Sequence, residues 1–179
     1  MTDRKSYDGV AKTLHWIIAI LVLLMLTFGW SMEDMPLDER QQTMMGHSGL
    51  GTIVLVLMLV RWGWRLLRGA PAPVEMPAWQ HKASVFVHWA FYGLLVLQPI
   101  FGILQAAYID YEVLAFGVID YSGLAVANED MYTLFHRMHG LTGRILVLLV
   151  SVHIIAALVH HFYQKDATLR RMLPFSKVE

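Results

Sequence analysis

A chain of 179 residues that is 56% hydrophobic, with a mean hydropathy of +0.49, is too apolar for an ordinary soluble domain of its size. The absence of cysteine excludes disulfides, zinc–thiolate sites, iron–sulfur clusters and covalent attachment of a c-type haem. The 14 basic and 14 acidic residues cancel, so no case arises for nucleic acid as a partner, yet they are very unevenly placed.

The first twelve residues are polar and carry no small-residue cleavage site, so they are not expected to be a removable signal peptide. Four apolar stretches follow, at about 8–30, 42–67, 79–107 and 131–162, each reaching the roughly 20 residues a helix needs to cross a bilayer. Pro36 falls in the first connection, and Pro71, Pro73 and Pro77 prevent a helix from running through the second. Pro99 lies inside the third stretch and predicts a kink, tolerable where neighbouring helices cover the freed carbonyl. Asn128 is a cap for the fourth helix, with Glu129 and Asp130 at its positive end. These signals predict an all-α membrane protein, a four-transmembrane-helix bundle forming one domain over residues 1–179.

Lys and Arg set the orientation. Arg4, Lys5 and Lys12 precede the first span, Arg61, Arg65, Arg68 and Lys82 surround the second connection, and Lys165, Arg170, Arg171 and Lys177 follow the fourth span. The first connection has only Arg40, and residues 108–135 contain no Lys or Arg. An excess of cations marks the cytoplasmic side, so both termini are expected there. The outer connections carry Glu33, Asp34, Asp38, Glu39, Asp110, Glu112, Asp120, Glu129 and Asp130. The last of them runs through Phe116-Gly117-Val118-Ile119, apolar enough to lie in the outer headgroup layer.

Nine histidines are present, at 15, 47, 81, 88, 136, 139, 153, 160 and 161. An ionisable group inside a membrane is costly and points to function. By depth His15 pairs with His153 about two turns in from the cytoplasmic side, and His47 with His139 about as far in from the outer side. His139 and His153 are fourteen residues apart, which advances ~21 Å along a helix and brings the side chain back to within about 40° of its starting direction. One helix can therefore offer an imidazole to each of two stacked haems. A porphyrin also needs room one turn beyond its ligand. Ala19, Gly51, Gly143 and Ala157 provide it after His15, His47, His139 and His153, whereas Val85, Tyr92 and Gln164 crowd His81, His88 and His160. His136 has Gly140 one turn on but points about 100° away from His153, on another face. Two neutral imidazoles on each iron leave no vacant position and make a site that passes electrons.

Arg61 follows His47 by fourteen residues, so Arg61 and Arg65 are placed to clamp propionates at the inner haem, and Arg137 could serve the outer one. A quinone near the inner haem needs a group that exchanges protons as electrons arrive. His160 is the first candidate, His88 the second, and Trp16 adjoins His15 at similar depth. Arg144 falls near the membrane centre and points about 140° from His139, with no acidic residue inside a span to pair with it.

The ordered set of His15-Trp16, His47-Ser48-Gly49-Leu50-Gly51 followed by Arg61 and Arg65, His88 with Pro99 eleven residues on, and His139 with His153 extends over nearly the whole chain. It continues through Ala157-Leu158-Val159-His160-His161-Phe162-Tyr163-Gln164-Lys165-Asp166 and Thr168-Leu169-Arg170-Arg171-Met172-Leu173-Pro174. In these features the chain resembles the prokaryotic cytochrome b561 family. The resemblance implies a four-helix bundle in the bacterial inner membrane, two b haems on those four histidines, and reaction with quinone, here ubiquinone. Members of that family include a quinone reductase fed by superoxide, so an oxidoreductase driven by superoxide or by an outer-face redox protein is expected. Two other readings compete. One is a haem-bearing membrane anchor for a partner dehydrogenase or hydrogenase. The other is a divalent-metal transporter, which the two-layer placing of the histidines and the lack of embedded carboxylates disfavour.

Overall fold

The computed structural model describes residues 5–176. Arg4 and Lys177, which count toward the expected cytoplasmic charge, lie outside the described residues, as do the side chains of Glu33 and Asp38. Four long helices make up the body: α1 Gly9–Ser31, α2 Leu37–Arg68, α3 Ala78–Ala107 and α4 Glu129–Leu158. All four are long and apolar enough to cross a membrane.

Local chemistry sets the ends. The Asp8 carboxylate accepts from the Ala11 N–H at 2.9 Å and caps α1. Helix α2 begins directly after Pro36, five residues before the expected 42, because proline tolerates a first helical turn and the polar run Asp38 to Gln42 continues it. Arg65 and Arg68 sit in the last turn of α2, where the dipole favours cations, and Gly69 ends it at φ +68°. Asn128 caps α4 as its sequence implies, accepting from the Met131 N–H at 3.0 Å. A π-helical turn, Val159–Gln164, extends α4 and stops at Lys165, whose φ of 56° reverses the chain.

Helix α3 packs along α4, and α2 lies between α1 and α3. Ile18, Val22, Val54, Met58, Leu95 and Leu146 form the buried centre. Leu146, only 1% exposed, lies midway between His139 and His153 along α4. Most other large apolar side chains, Leu24, Val56, Phe86 and Leu148 among them, face outward, as lipid contact requires.

Each end of the bundle is closed by chain. At the end where α2 and α4 begin, a two-stranded antiparallel hairpin, β1 Leu114–Ala115 and β2 Ile119–Asp120, folds onto α2 through the Phe116 N–H and the Met45 carbonyl at 3.1 Å. Val113, Ala115 and Tyr121 pack with Ala106 beneath it, and the Tyr121 hydroxyl bonds to Thr52. On the other side the tail returns under the bundle. Lys12 and Trp16 donate to the carbonyls of Ser176 and Met172, both at 2.9 Å. Arg171, buried, donates to the carbonyls of Lys5 at 2.5 Å and Ala72 at 2.7 Å. Lys12 and Arg171, counted above as topological charge, thus hold this floor together.

Candidate functional site

Two tiers of imidazole occupy the bundle. In the tier nearer the chain termini, the inner one in the expected orientation, His15 of α1 and His153 of α4 have ring centroids 6.3 Å apart at an interplanar angle of 69°. In the other, His47 of α2 and His139 of α4 are 6.1 Å apart at 71°. The two near-equal separations come from different helix pairs and meet only on α4, whose fourteen-residue spacing sets the distance between tiers.

The outer tier is held closely. The His139 Nδ1–H donates to the main-chain carbonyl of Gln98 at 3.0 Å, leaving Nε2 as the ring's lone-pair nitrogen, 3.2 Å from the Gln98 amide nitrogen. Thr142 donates to the Gln98 side-chain oxygen and fixes that amide in turn. Two glycines allow the rings in: a Cβ at Gly102 would meet His139 Cε1 at 3.2 Å, and one at Gly29 would meet His47 Cε1 at 3.4 Å. His47 Nδ1 is buried with no hydrogen-bond partner.

The inner tier has more company. His88 of α3, though exposed on one side, lies 5.9 Å from His153 by ring centroid, and Phe91 lies 5.3 Å from it. Trp16 abuts His15 edge-on at 5.5 Å. Arg61 donates to the Ala11 carbonyl at 2.7 Å, and Trp64 donates to the Asp8 carboxylate at 3.1 Å. Together with Tyr7, Arg65 and Tyr92 these residues line a cleft, and the Arg65 Nη1 there is buried without a partner.

His160 stands at the end of the extended α4, its Nδ1 2.5 Å from the Asp166 carboxylate. The left-handed Lys165 makes this pair possible by turning the chain back, so that the Asp166 N–H also reaches the His160 carbonyl at 3.1 Å. Burial alone would raise the Asp166 pKa, but hydrogen bonds from His160 and from the Thr168 N–H and hydroxyl outweigh it and hold the carboxyl below its ordinary value. The remaining candidates are elsewhere. His136 bonds to Gln105 at 3.3 Å on the exposed side of α4, and Arg137 is exposed rather than turned to the tier.

The residues fit a haem in each tier. Two imidazoles binding one metal at about 2.0–2.1 Å put their ring centroids roughly 6 Å apart, which is the spacing of both pairs. An imidazole whose Nδ1–H is held by a carbonyl, as in His139, leaves Nε2 for a metal and is the usual form of a metal-binding histidine, whereas the buried Nδ1 of His47 has no such acceptor. Among the described residues no group of three or more His, Asp or Glu side chains converges as a metal-ion site. Reading along each helix singles out the four histidines but does not reveal Gln98, Gly29, Gly102 or Asp166. An amide next to Pro99 inside an apolar span was the available signal for Gln98.

The sequence family described as prokaryotic cytochrome b561 matches residues 6–175. The chain is 30% identical over 175 residues to a probable superoxide oxidase CybB of Yersinia pestis, covering 95% of this chain and 97% of the relative. It is 33% identical over 173 residues to the cytochrome b561 homolog 1 of Escherichia coli (strain K12), covering 92% and 94%. A cytochrome b562 of Cereibacter sphaeroides is 32% identical over 179 residues, covering 97% and 98%.

Proposed function

Because this chain belongs to the prokaryotic cytochrome b561 family of multi-pass membrane electron-transfer proteins, which bind haem b, we propose that it carries two b haems and passes electrons from an outer-face donor to ubiquinone. His15 and His153 hold the inner haem, and His47 and His139 the outer one. The observation that supports this reading is that α4 meets a histidine of another helix at each of two levels, His15 at 6.3 Å and His47 at 6.1 Å by ring centroid, with His88 a third imidazole beside His153 at the first level. With both axial positions filled, each haem would supply a one-electron centre that does not bind oxygen.

The protein's own residues do the rest. Gln98 fixes the tautomer and ring plane of His139, Leu146 and its neighbours keep water from between the tiers, and Arg61 and Arg65 offer cations to propionates at the inner tier. Both termini, with the floor built by Lys12 and Arg171, face the cytoplasm on this reading. Reducing a quinone consumes two electrons and two protons. The electrons come one at a time, and the protons enter from the cytoplasmic edge. His160 is suited to holding one of these protons on Nε2, because Asp166 keeps Nδ1 engaged. His88, beside His153 and partly exposed, is the second candidate for contact with the quinone head.

The donor proposed is superoxide, the substrate named for the Yersinia pestis relative. Two superoxide ions would give two molecules of oxygen and the two electrons that one quinone needs. The acidic outer connections oppose anion approach and suit a basic redox protein better, which makes such a protein the alternative donor. The deciding experiment is a reduced-minus-oxidised spectrum with haem stoichiometry on purified protein, followed by quinone reduction with superoxide and nothing else added. Two b haems per chain with turnover support the full reading. Two haems without turnover favour a haem-bearing anchor for a partner enzyme, a second reading that the unpaired, outward-facing Arg144 recommends. A colourless protein refutes both.

A further inference from the structure

Arg144 makes no hydrogen bond or ion pair among the described residues, and its side chain is exposed on the outer face of α4. It lies two residues from Leu146, the midpoint between the two histidines of that helix, so by helical rise it is only about 3 Å from mid-depth. The hydrocarbon edge is about 15 Å from the centre, beyond the reach of a snorkelling arginine. A guanidinium held there against lipid is costly, and the cost is relieved by an anion at the same depth.

That anion does not come from this chain. No Asp or Glu occurs in residues 9–32, 41–74, 76–109 or 131–165. A second copy cannot supply it either, because its spans are the same and equally lack Asp and Glu. Lipid phosphates stay at the headgroup level. A carboxylate on a helix of a different membrane protein, crossing beside α4, meets this need.

The face is shaped for one. Gly140, one turn before Arg144, is exposed, and a Cβ built on it meets nothing within 4 Å. It opens a notch in which a neighbouring backbone can approach closely, the arrangement that favours helix association in membranes. Leu141 and Leu148, both exposed, flank the notch and the arginine.

We propose that the Gly140–Arg144 face of α4 is the docking site for a transmembrane helix of another protein that carries an Asp or Glu at mid-membrane depth. The proposal stands apart from the haem assignment, since Gly140 and Arg144 are exposed on α4 and neither is among the residues assigned to hold a haem. The test places the haem-loaded protein in phosphatidylcholine vesicles with a synthetic Leu/Ala transmembrane helix bearing one central Glu, or Gln or Leu in its place, and reads association by energy transfer. The Glu helix should bind at least tenfold more tightly than the Leu helix. R144L should abolish the preference, R144K should keep part of it, and G140L should weaken it, with haem spectra unchanged in all three. Equal binding of the Glu and Leu helices would overturn the proposal. So would a preference that survives R144L, or Arg144-dependent self-association of the protein alone.

Discussion

The Nδ1 of His139 on α4 donates to the main-chain carbonyl of Gln98 on α3, 3.0 Å away and one residue before Pro99. Because the acceptor is backbone, no side-chain substitution removes it, but the approach of the ring depends on Gly102, where a Cβ would come within 3.2 Å of His139 Cε1. Gly102→Leu should displace the ring and lower haem content from two to about one per chain, with the inner spectral component kept. Gly102→Ala needs a shift of only a few tenths of an ångström and should keep both haems with an altered outer spectrum. Pyridine haemochrome analysis and low-temperature difference spectra read both outcomes.

Substitution at the four paired histidines separates the tiers. His47→Ala or His139→Ala should remove the outer haem alone, and His15→Ala or His153→Ala the inner one. Each variant is expected to retain one b haem. Loss of neither haem on replacing His47 and His139 would refute the outer pairing.

At the hairpin end of the bundle Phe116 lies flat on Gly49, so closely that a Cβ there would sit 2.5 Å from its ring. Gly49→Ala therefore forces the phenyl ring and the hairpin Leu114–Asp120 to lift from α2, an overpacking change that typically costs about 1–3 kcal/mol. Amide exchange across residues 113–121 should quicken, while the inner tier, on the far side of the Leu146 layer, should be unaffected.

The pH dependence of the floor follows from Asp166, whose carboxyl is held below its ordinary value by His160 and Thr168 despite its partial burial. A depressed folded value means the stabilisation is fully present above the unfolded pKa, about 3.9, and is lost as pH falls through the lower folded value. Docking of the tail should therefore persist at neutral pH and loosen below about pH 4. Trp16, whose indole donates to Met172 in that tail, is one reporter. Its fluorescence should change over that acid range, and Asp166→Asn should remove the transition.

How far the sequence carried this picture depended on whether a feature lies along one helix or between two. Prolines 36, 71, 73 and 77 and the clustered cations mark the span ends, and α1 and α3 begin and end within one residue of expectation. The His139–His153 spacing is a property of a single helix and was legible at once. Tyr92, one turn after His88, counts against it as a haem ligand and leaves it the second quinone candidate, but that test reads only a residue's own helix. The approach of α3 to α4 brings His88 to within 5.9 Å of His153, and Tyr92 instead turns to Trp62 at 6.1 Å. The Gly29 and Gly102 contacts, and the His160–Asp166 pair across a left-handed lysine, were likewise invisible because each needs a tertiary approach or a chain reversal that periodicity does not encode.

Proton delivery to the quinone falls to His160 on the proposed reading. Its Nδ1 is engaged by Asp166, so the ring presents Nε2 as the exchangeable position, and neither residue touches a tier histidine. His160→Phe should leave both haem spectra and the rate of haem reduction by the outer donor intact. Steady-state quinone reduction should fall about 10²-fold or more, the usual contribution of a positioned acid. Asp166→Asn should give a smaller loss and a displaced pH–rate profile, because the ring survives while its anionic partner does not. Stopped-flow traces separate the two steps: haem reduction at the wild-type rate followed by slow reoxidation by quinone is the expected pattern. A variant slowed equally in both phases would show that His160 serves the bundle's structure rather than the proton.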